Sequence, residues 1–306
     1  MTEQEIKRLP TILDVIEQLA ARENKTLFRE CGRIPSLEYY DEGRFNYVSD
    51  ENNRNVVHLM PTSQSPTTFM RGQSRYYEPC LPTLYRNNPT DAIIAKKKEL
   101  IKKFGVLLLT HPIFREVISN VSAGIITMAQ HYGFDTNYID ISNSKWVAAF
   151  FACTGYDTKT DTYFPAGEDY FEGYGVMYVT KDTGNPNFEL FKKQEVIGYK
   201  YFARPTMQSS FGIPMEKGEN FNDSPFFEKI FFRHDLEASK IVFDMSYKQS
   251  RYIPVDELSV LAKRIRDGLP AEFDPQKLAK ELEEWETFGR ANLKQRILPI
   301  IPISRF

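Results

Sequence analysis

The chain has 306 residues, of which 42% are hydrophobic and 14% aromatic, enough apolar material for a sizeable core. Its 39 Lys and Arg against 41 Asp and Glu leave a net charge of −2, so no overall basic field argues for nucleic acid, although a local patch remains open. The three cysteines (Cys31, Cys80, Cys153) and four histidines (His58, His111, His131, His234) are scattered without metal-ligand or disulfide-framework spacing, and no metal is expected.

In chain order, ILDVIEQLAAR after Pro10-Thr11 places Ile12, Val15, Ile16 and Leu19 on one helical face. Residues 23–66 are polar and turn-rich (ENNRN, PTSQSP) and predict an irregular entry. TTFMRGQS (67–74) predicts a strand ending in Arg-Gly, followed by a loop punctuated by Pro79, Pro82, Asn87, Asn88 and Pro89. Thr90 is placed to cap a helix that Gly105 would close, and a second helix is expected from Pro112 to Gly133. YIDIS then predicts a short strand and KWVAAFFA a helix, with Ser142 and Ser144 at the junction as helix caps. Residues 154–173 read as a long surface loop, and strands are expected at 175–180, 195–203 and 239–247 from their β-branched and aromatic content. Segment 204–215 reads as a polar strand-to-turn patch, and the C-terminal part as two helices before the tail ILPIIPISRF. Neither end nor middle carries a signal-peptide core or a bilayer-length apolar run, which predicts a cytoplasmic protein without membrane contact. Helices gathered around scattered strands indicate α+β rather than βαβ alternation. The expected division is 1–66, an N-terminal helix and irregular segment; 67–250, the core; and 251–306, a helical segment.

Phosphate-loop, nucleophile-elbow, H-E-x-x-H and G-x-G-x-x-G motifs are all absent. What stands out is Arg71 beside Gly72, a planar donor fork suited to phosphate next to a residue that lets backbone approach closely. Ser142 and Ser144 present hydroxyls and free N–H groups at a helix start, the kind of place where an anion binds. Gln208 and Ser210 could bond a sugar or an amide. Each also has a plain structural role: ion pair, cap, solvated loop residue, and, for His131, packing in the core.

Taken together, Phe69-Met70-Arg71-Gly72, LPTLYR with Arg86, QHYG with His131 and Tyr132, DISNS followed by VAAFFA, and RPTMQSSF resemble, in that order, the motifs of the FRG domain family over roughly residues 67–212. The set is more distantly similar to the Arg-Ser-Glu arrangement of ADP-ribosyltransferases. That resemblance implies a sheet core of their kind, a mixed sheet with flanking N- and C-terminal helices. It implies NAD as substrate, with Arg71, Ser142 and Gln208 as the catalytic set and Gly72, Arg86, His131, Tyr132 and Ser144 completing the NAD site. Gln208 stands near the place of the family's Glu, a role that Glu195 or Glu216 could take instead. The implied activity is transfer of ADP-ribose to RNA, DNA or protein, of the toxin or antiviral-defence type. Lys96, Lys97, Lys98, Lys102 and Lys103, with Arg75 and Arg86, form a candidate nucleic-acid groove or a solvated face. The alternative is a non-catalytic nucleotide sensor, or a module whose Leu258, Leu261, Leu278, Leu282 and Trp285 dock an antitoxin or chaperone.

Overall fold

The computed structural model describes residues 1–23, 45–49, 57–61, 68–112, 114–115, 125–181, 195–197, 203–208 and 210–284. Cys31, most of the 23–66 segment, the middle of the expected 112–133 helix, Trp285 and the apolar tail lie outside them.

Helices α1 (Glu3–Lys7) and α2 (Ile12–Glu23) lead to a hairpin of β1 (Phe45–Ser49) and β2 (Val57–Pro61). Next come β3 (Met70–Gln73), α3 (Asp91–Thr110), α4 (Ile125–His131), β4 (Tyr138–Ser142) and α5 (Lys145–Cys153). They are followed by β5 (Thr154–Asp157), β6 (Thr162–Pro165), β7 (Tyr174–Thr180), β8 (Glu195–Ile197), α6 (Ala203–Met207) and β9 (Ser210–Pro214). The chain then forms β10 (Phe227–Arg233), α7 (Leu236–Met245), α8 (Glu257–Arg266) and α9 (Pro275–Glu284). Among the described residues six strands make one sheet in the order β10-β7-β3-β4-β9-β8. Every pairing in it is antiparallel, so the class is α+β as expected, but the sheet is not mixed. None of the described connections between neighbouring strands is the parallel crossover that a mixed sheet needs.

Alternation along the strands sorts side chains to two faces. Met70, Met177, Val179 and Phe232 pack against α2, α5 and α7, and Ile12, Val15, Ile16 and Leu19 of α2 are all buried in this cluster. Phe69, Ile139, Ile141, Val176, Tyr178 and Phe211 turn the other way and meet Phe221, Phe227 and Met215. A third cluster joins α3, α4 and α8 through Phe104, Leu108, Met128, Tyr132 and Phe134. Leu258 and Leu261 are buried in that helical cluster and Leu282 packs on it, so these leucines serve the core of this chain.

Several local expectations change for identifiable reasons. Thr90 caps α3 as expected, its hydroxyl accepting from Ile93 N–H, but the helix continues through Gly105 to Thr110. A Cβ at Gly105 would lie 2.8 Å from Ile125 Cγ2, so this glycine lets α4 approach and does not end α3. The stretch 239–247 is helical, not a strand: Asp235 caps α7 at Ala238 N–H, 2.9 Å, and Ala238, Ser239 and Val242 form its buried stripe. Residues 203–207, at the end of the expected 195–203 strand and the start of the strand-to-turn patch, are helix α6, and the 154–173 loop contains the β5–β6 hairpin, turned by Asp161 at φ 56°. The strand of the 204–215 strand-to-turn patch is its second half, Ser210–Pro214, and Phe227–Arg233 is a strand that the pattern did not announce.

Candidate functional site

The sheet splits at its centre. β3 and β4 share one pair, Met70↔Ser142, after which each keeps only its outer neighbour: β3 stays on β7 through Gln73↔Val176, and β4 on β9 through Tyr138↔Pro214. The gap holds a cleft of about 290 Å³ lined by Arg71–Ser74, Asp140–Ser142, Tyr77, Arg86, Tyr163, Gln208 and Ser210, with Val147, Ala148 and Phe151 of α5 as its apolar wall. Six residues singled out in sequence (Arg71, Gly72, Arg86, Ser142, Gln208 and Ser210) therefore meet in one place.

Arg71 spans the gap where the ladder stops, donating from Nη1 to the Asp140 carbonyl at 2.8 Å. Its Nε is buried and has no hydrogen-bond partner among the described residues. Arg86 donates from Nε to the Leu81 carbonyl at 3.0 Å and lies over the Tyr77 ring. Burial, and then the charge of Arg71, push the Arg86 guanidinium below its ordinary value, yet a guanidinium stays charged in a protein. Two cations thus face one carboxylate, Asp140, among the described lining residues. That imbalance suits an anion with several acceptor oxygens. Beside the lining Tyr77, Arg75 is held between the Tyr77 and Phe171 rings, 4.7 and 4.6 Å from their centroids.

Gly72 has a different task from the one its position suggested. A Cβ there would lie 1.8 Å from the Ala148 carbonyl oxygen and 2.8 Å from Ala152 Cβ, so the glycine lets α5 lie directly on β3. The two serines also divide their work. Ser144 is the N-cap of α5, its hydroxyl accepting from Val147 N–H at 3.4 Å. Ser142 donates to the Gln208 carbonyl at 2.8 Å and accepts from Ser144 N–H at 3.0 Å, tying the end of β4 to the chain entering β9. The Gln208 side chain is engaged at both ends, by the Tyr252 carbonyl and by His131 Nδ1.

His131 stands behind the cleft wall, its side chain 1% exposed, with Nε2 3.8 Å from Asp140 Oδ1. Tyr132 lies apart in the helical core and donates to Asp256 at 2.8 Å; burial, then the Asp256 charge, raise its phenol far above the ordinary value and keep it protonated. Glu216 is exposed on the loop after β9, and the Glu195 side chain is outside the described residues. Of the lysine run, Lys97 pairs with Asp135 at 3.0 Å, while Lys96, Lys98, Lys102 and Lys103 are solvent-exposed. Asp140 was missed in the sequence; the one available signal is a lone acid between two isoleucines in YIDIS. Among the described residues no His, Cys, Asp and Glu group could hold a metal, and no helix is long and apolar enough to cross a membrane.

These features define an antiparallel α+β protein with an anion-suited cleft in a split sheet. The FRG domain family model matches residues 66–161, which carry Arg71, Arg86, His131, Asp140 and Ser142 but end before Gln208. No curated protein matches the chain, and no solved structure does.

Proposed function

We propose that the split-sheet cleft binds NAD and that the protein is an ADP-ribosyltransferase acting on a macromolecule, RNA, DNA or protein. The observation that carries this reading is the convergence of Arg71 and Arg86 on a cleft whose described lining holds the single carboxylate of Asp140. The unpartnered Arg71 Nε and the Arg86 guanidinium supply donors for a diphosphate. A cleft of about 290 Å³ is at the small end for a ligand site, and fits a phosphoribosyl portion with the rest of the dinucleotide lying along Tyr77 and Arg75. When the bond from ribose C1′ to the nicotinamide nitrogen breaks, its electron pair leaves with neutral nicotinamide. Positive charge then grows on the ribose, and an acceptor oxygen or nitrogen attacks C1′ and loses its proton. Asp140 is the group here that can stabilise that charge, which a neutral Gln208 cannot do. Gln208, Ser142 and Ser144 hold the frame.

Nicotinamide release from labelled NAD tests this, with cell extract and with purified RNA as acceptor sources. Release should fall about 100-fold or more in Asp140→Asn and vanish in Arg71→Ala. Full release in Arg71→Ala would sink the assignment. The engagement of both ends of the Gln208 amide favours a second reading, a nucleotide sensor with no transfer step. It requires saturable NAD binding without any nicotinamide released.

A further inference from the structure

Gln208 and Asp140 of the cleft lining are linked through His131 behind the wall, and the hydrogen bonds there fix a protonation pattern. Gln208 Nε2 is 2.8 Å from the Tyr252 carbonyl oxygen, which can only accept, so this end of the amide is the nitrogen. The other end, Oε1, is 2.9 Å from His131 Nδ1 and can only accept, so Nδ1 carries a hydrogen. The remaining ring nitrogen, Nε2, faces Asp140 Oδ1 at 3.8 Å. Both of these atoms are buried and neither has a hydrogen-bond partner among the described residues. With a neutral ring the Nε2 lone pair would confront a carboxylate oxygen, two acceptors opposed out of reach of solvent. A second proton, on Nε2, turns that opposition into an ion pair.

We propose that His131 is a positioning residue for Asp140: its tautomer locked by Gln208, it works as an imidazolium that orients and braces the carboxylate at the cleft wall. The inference rests on the role given to Asp140 above and adds its regulation by pH. The charged groups around the pair divide by side. Arg204 of α6 reaches the His131 carbonyl at 3.5 Å and works against a second proton on the ring. Asp140 works for it. Around Asp140 stand Arg71, on its backbone carbonyl, with Arg86 and Tyr163 across the cleft. As pH rises and Nε2 loses its proton, the Asp140 brace is lost while the Arg71 and Arg86 clamp is untouched. The turnover number therefore falls on the alkaline side with little change in NAD affinity. Apo distances of this kind commonly shorten to hydrogen bonds when the ligand is in place.

The direct test is nitrogen NMR of the histidine rings in the full chain, which has four histidines, with His131 assigned through His131→Gln. The expected pattern is a hydrogen on Nδ1 at every pH, and a second on Nε2 that persists to higher pH in wild type than in Asp140→Asn. A neutral ring with its hydrogen on Nε2, or a titration that ignores Asp140→Asn, overturns the proposal. Nicotinamide release against pH gives the functional arm. His131→Gln, whose amide N–H is a donor at any pH, should retain release with the alkaline decline flattened, whereas His131→Phe should lose release at every pH and still bind NAD. Wild-type and His131→Phe profiles that coincide, while Arg71→Ala abolishes release, also overturn it and leave the transferase reading standing. The expected ring pattern with no release from wild type removes the transfer reading and leaves the His131–Asp140 assignment in place.

Discussion

Gly72→Ala tests the geometry on which the cleft depends. The new methyl would sit 1.8 Å from the Ala148 carbonyl oxygen, 2.8 Å from its carbon and 2.8 Å from Ala152 Cβ. Restoring ordinary contact requires α5 to lift off β3 by roughly 1.5 Å or more. The nearest obstacle is helix backbone, which has no rotamer to move, and α5 carries Val147, Ala148, Ala149, Phe150 and Ala152 in the buried cluster it shares with α2 and α7. Overpacking of this type costs about 3 kcal/mol. With a urea slope of about 3 kcal/mol/M, the unfolding midpoint should drop by about 1 M at unchanged slope. Adding Ala152→Gly removes only the side-chain clash, so the double variant should recover little. A Gly72→Ala protein with the wild-type midpoint would refute the packing of α5 on β3 and, with it, the wall of the cleft.

Other consequences follow from single contacts. Cys153 is fully buried and burial raises its thiol to about 12, so mass spectrometry after thiol alkylation at pH 8 should find it unmodified until the protein is denatured. His234 donates from Nε2 to the Ser74 carbonyl at 2.8 Å, its buried Nδ1 has no partner among the described residues, and burial lowers its folded value. The neutral ring thus contributes stability that is complete above the unfolded value near 6.5 and is lost as pH falls through the folded one. Urea midpoints measured from pH 7 downward should decline in wild type and flatten in His234→Gln. Ser144→Ala removes one cap bond and should cost about 1 kcal/mol. Ser142→Ala leaves both the Gln208 carbonyl and Ser144 N–H without their partner and should cost more, about 2 kcal/mol, in the same unfolding assay.

Where local chemistry decides structure, the sequence is easily read. The Ile12, Val15, Ile16, Leu19 stripe, the Thr90 cap, the YIDIS strand and the Ser144 start of α5 all depend on neighbours within a turn or two. Elements fixed by distant packing are harder to read. SKIVFDMSY has strand-forming residues, yet the Asp235 cap and the buried face against α5 make it a helix. Gly105 and Gly72 both looked like local signals, a helix stop and a ligand approach, and both answer to a helix packed against them from elsewhere in the chain. The candidate site divides the same way. Arg71, Arg86, Ser142 and Gln208 could be gathered from residue type and order, and the structure brings them to one cleft. Asp140 could not, because its importance comes from the splitting of β3 from β4, and strand pairing that stops after one residue pair leaves no mark in either segment.

The central claim is that Arg71 and Arg86 form an anion clamp for a dinucleotide, and calorimetric titration with NAD tests it most directly. Wild type should bind NAD and ADP-ribose saturably but not nicotinamide alone, with affinity falling as salt is raised. Arg71→Ala and Arg86→Ala, each losing hydrogen bonds to a charged group, should weaken binding ~10- to 100-fold while remaining folded. Wild-type affinity in both variants, or no binding by the wild-type protein, would contradict the account.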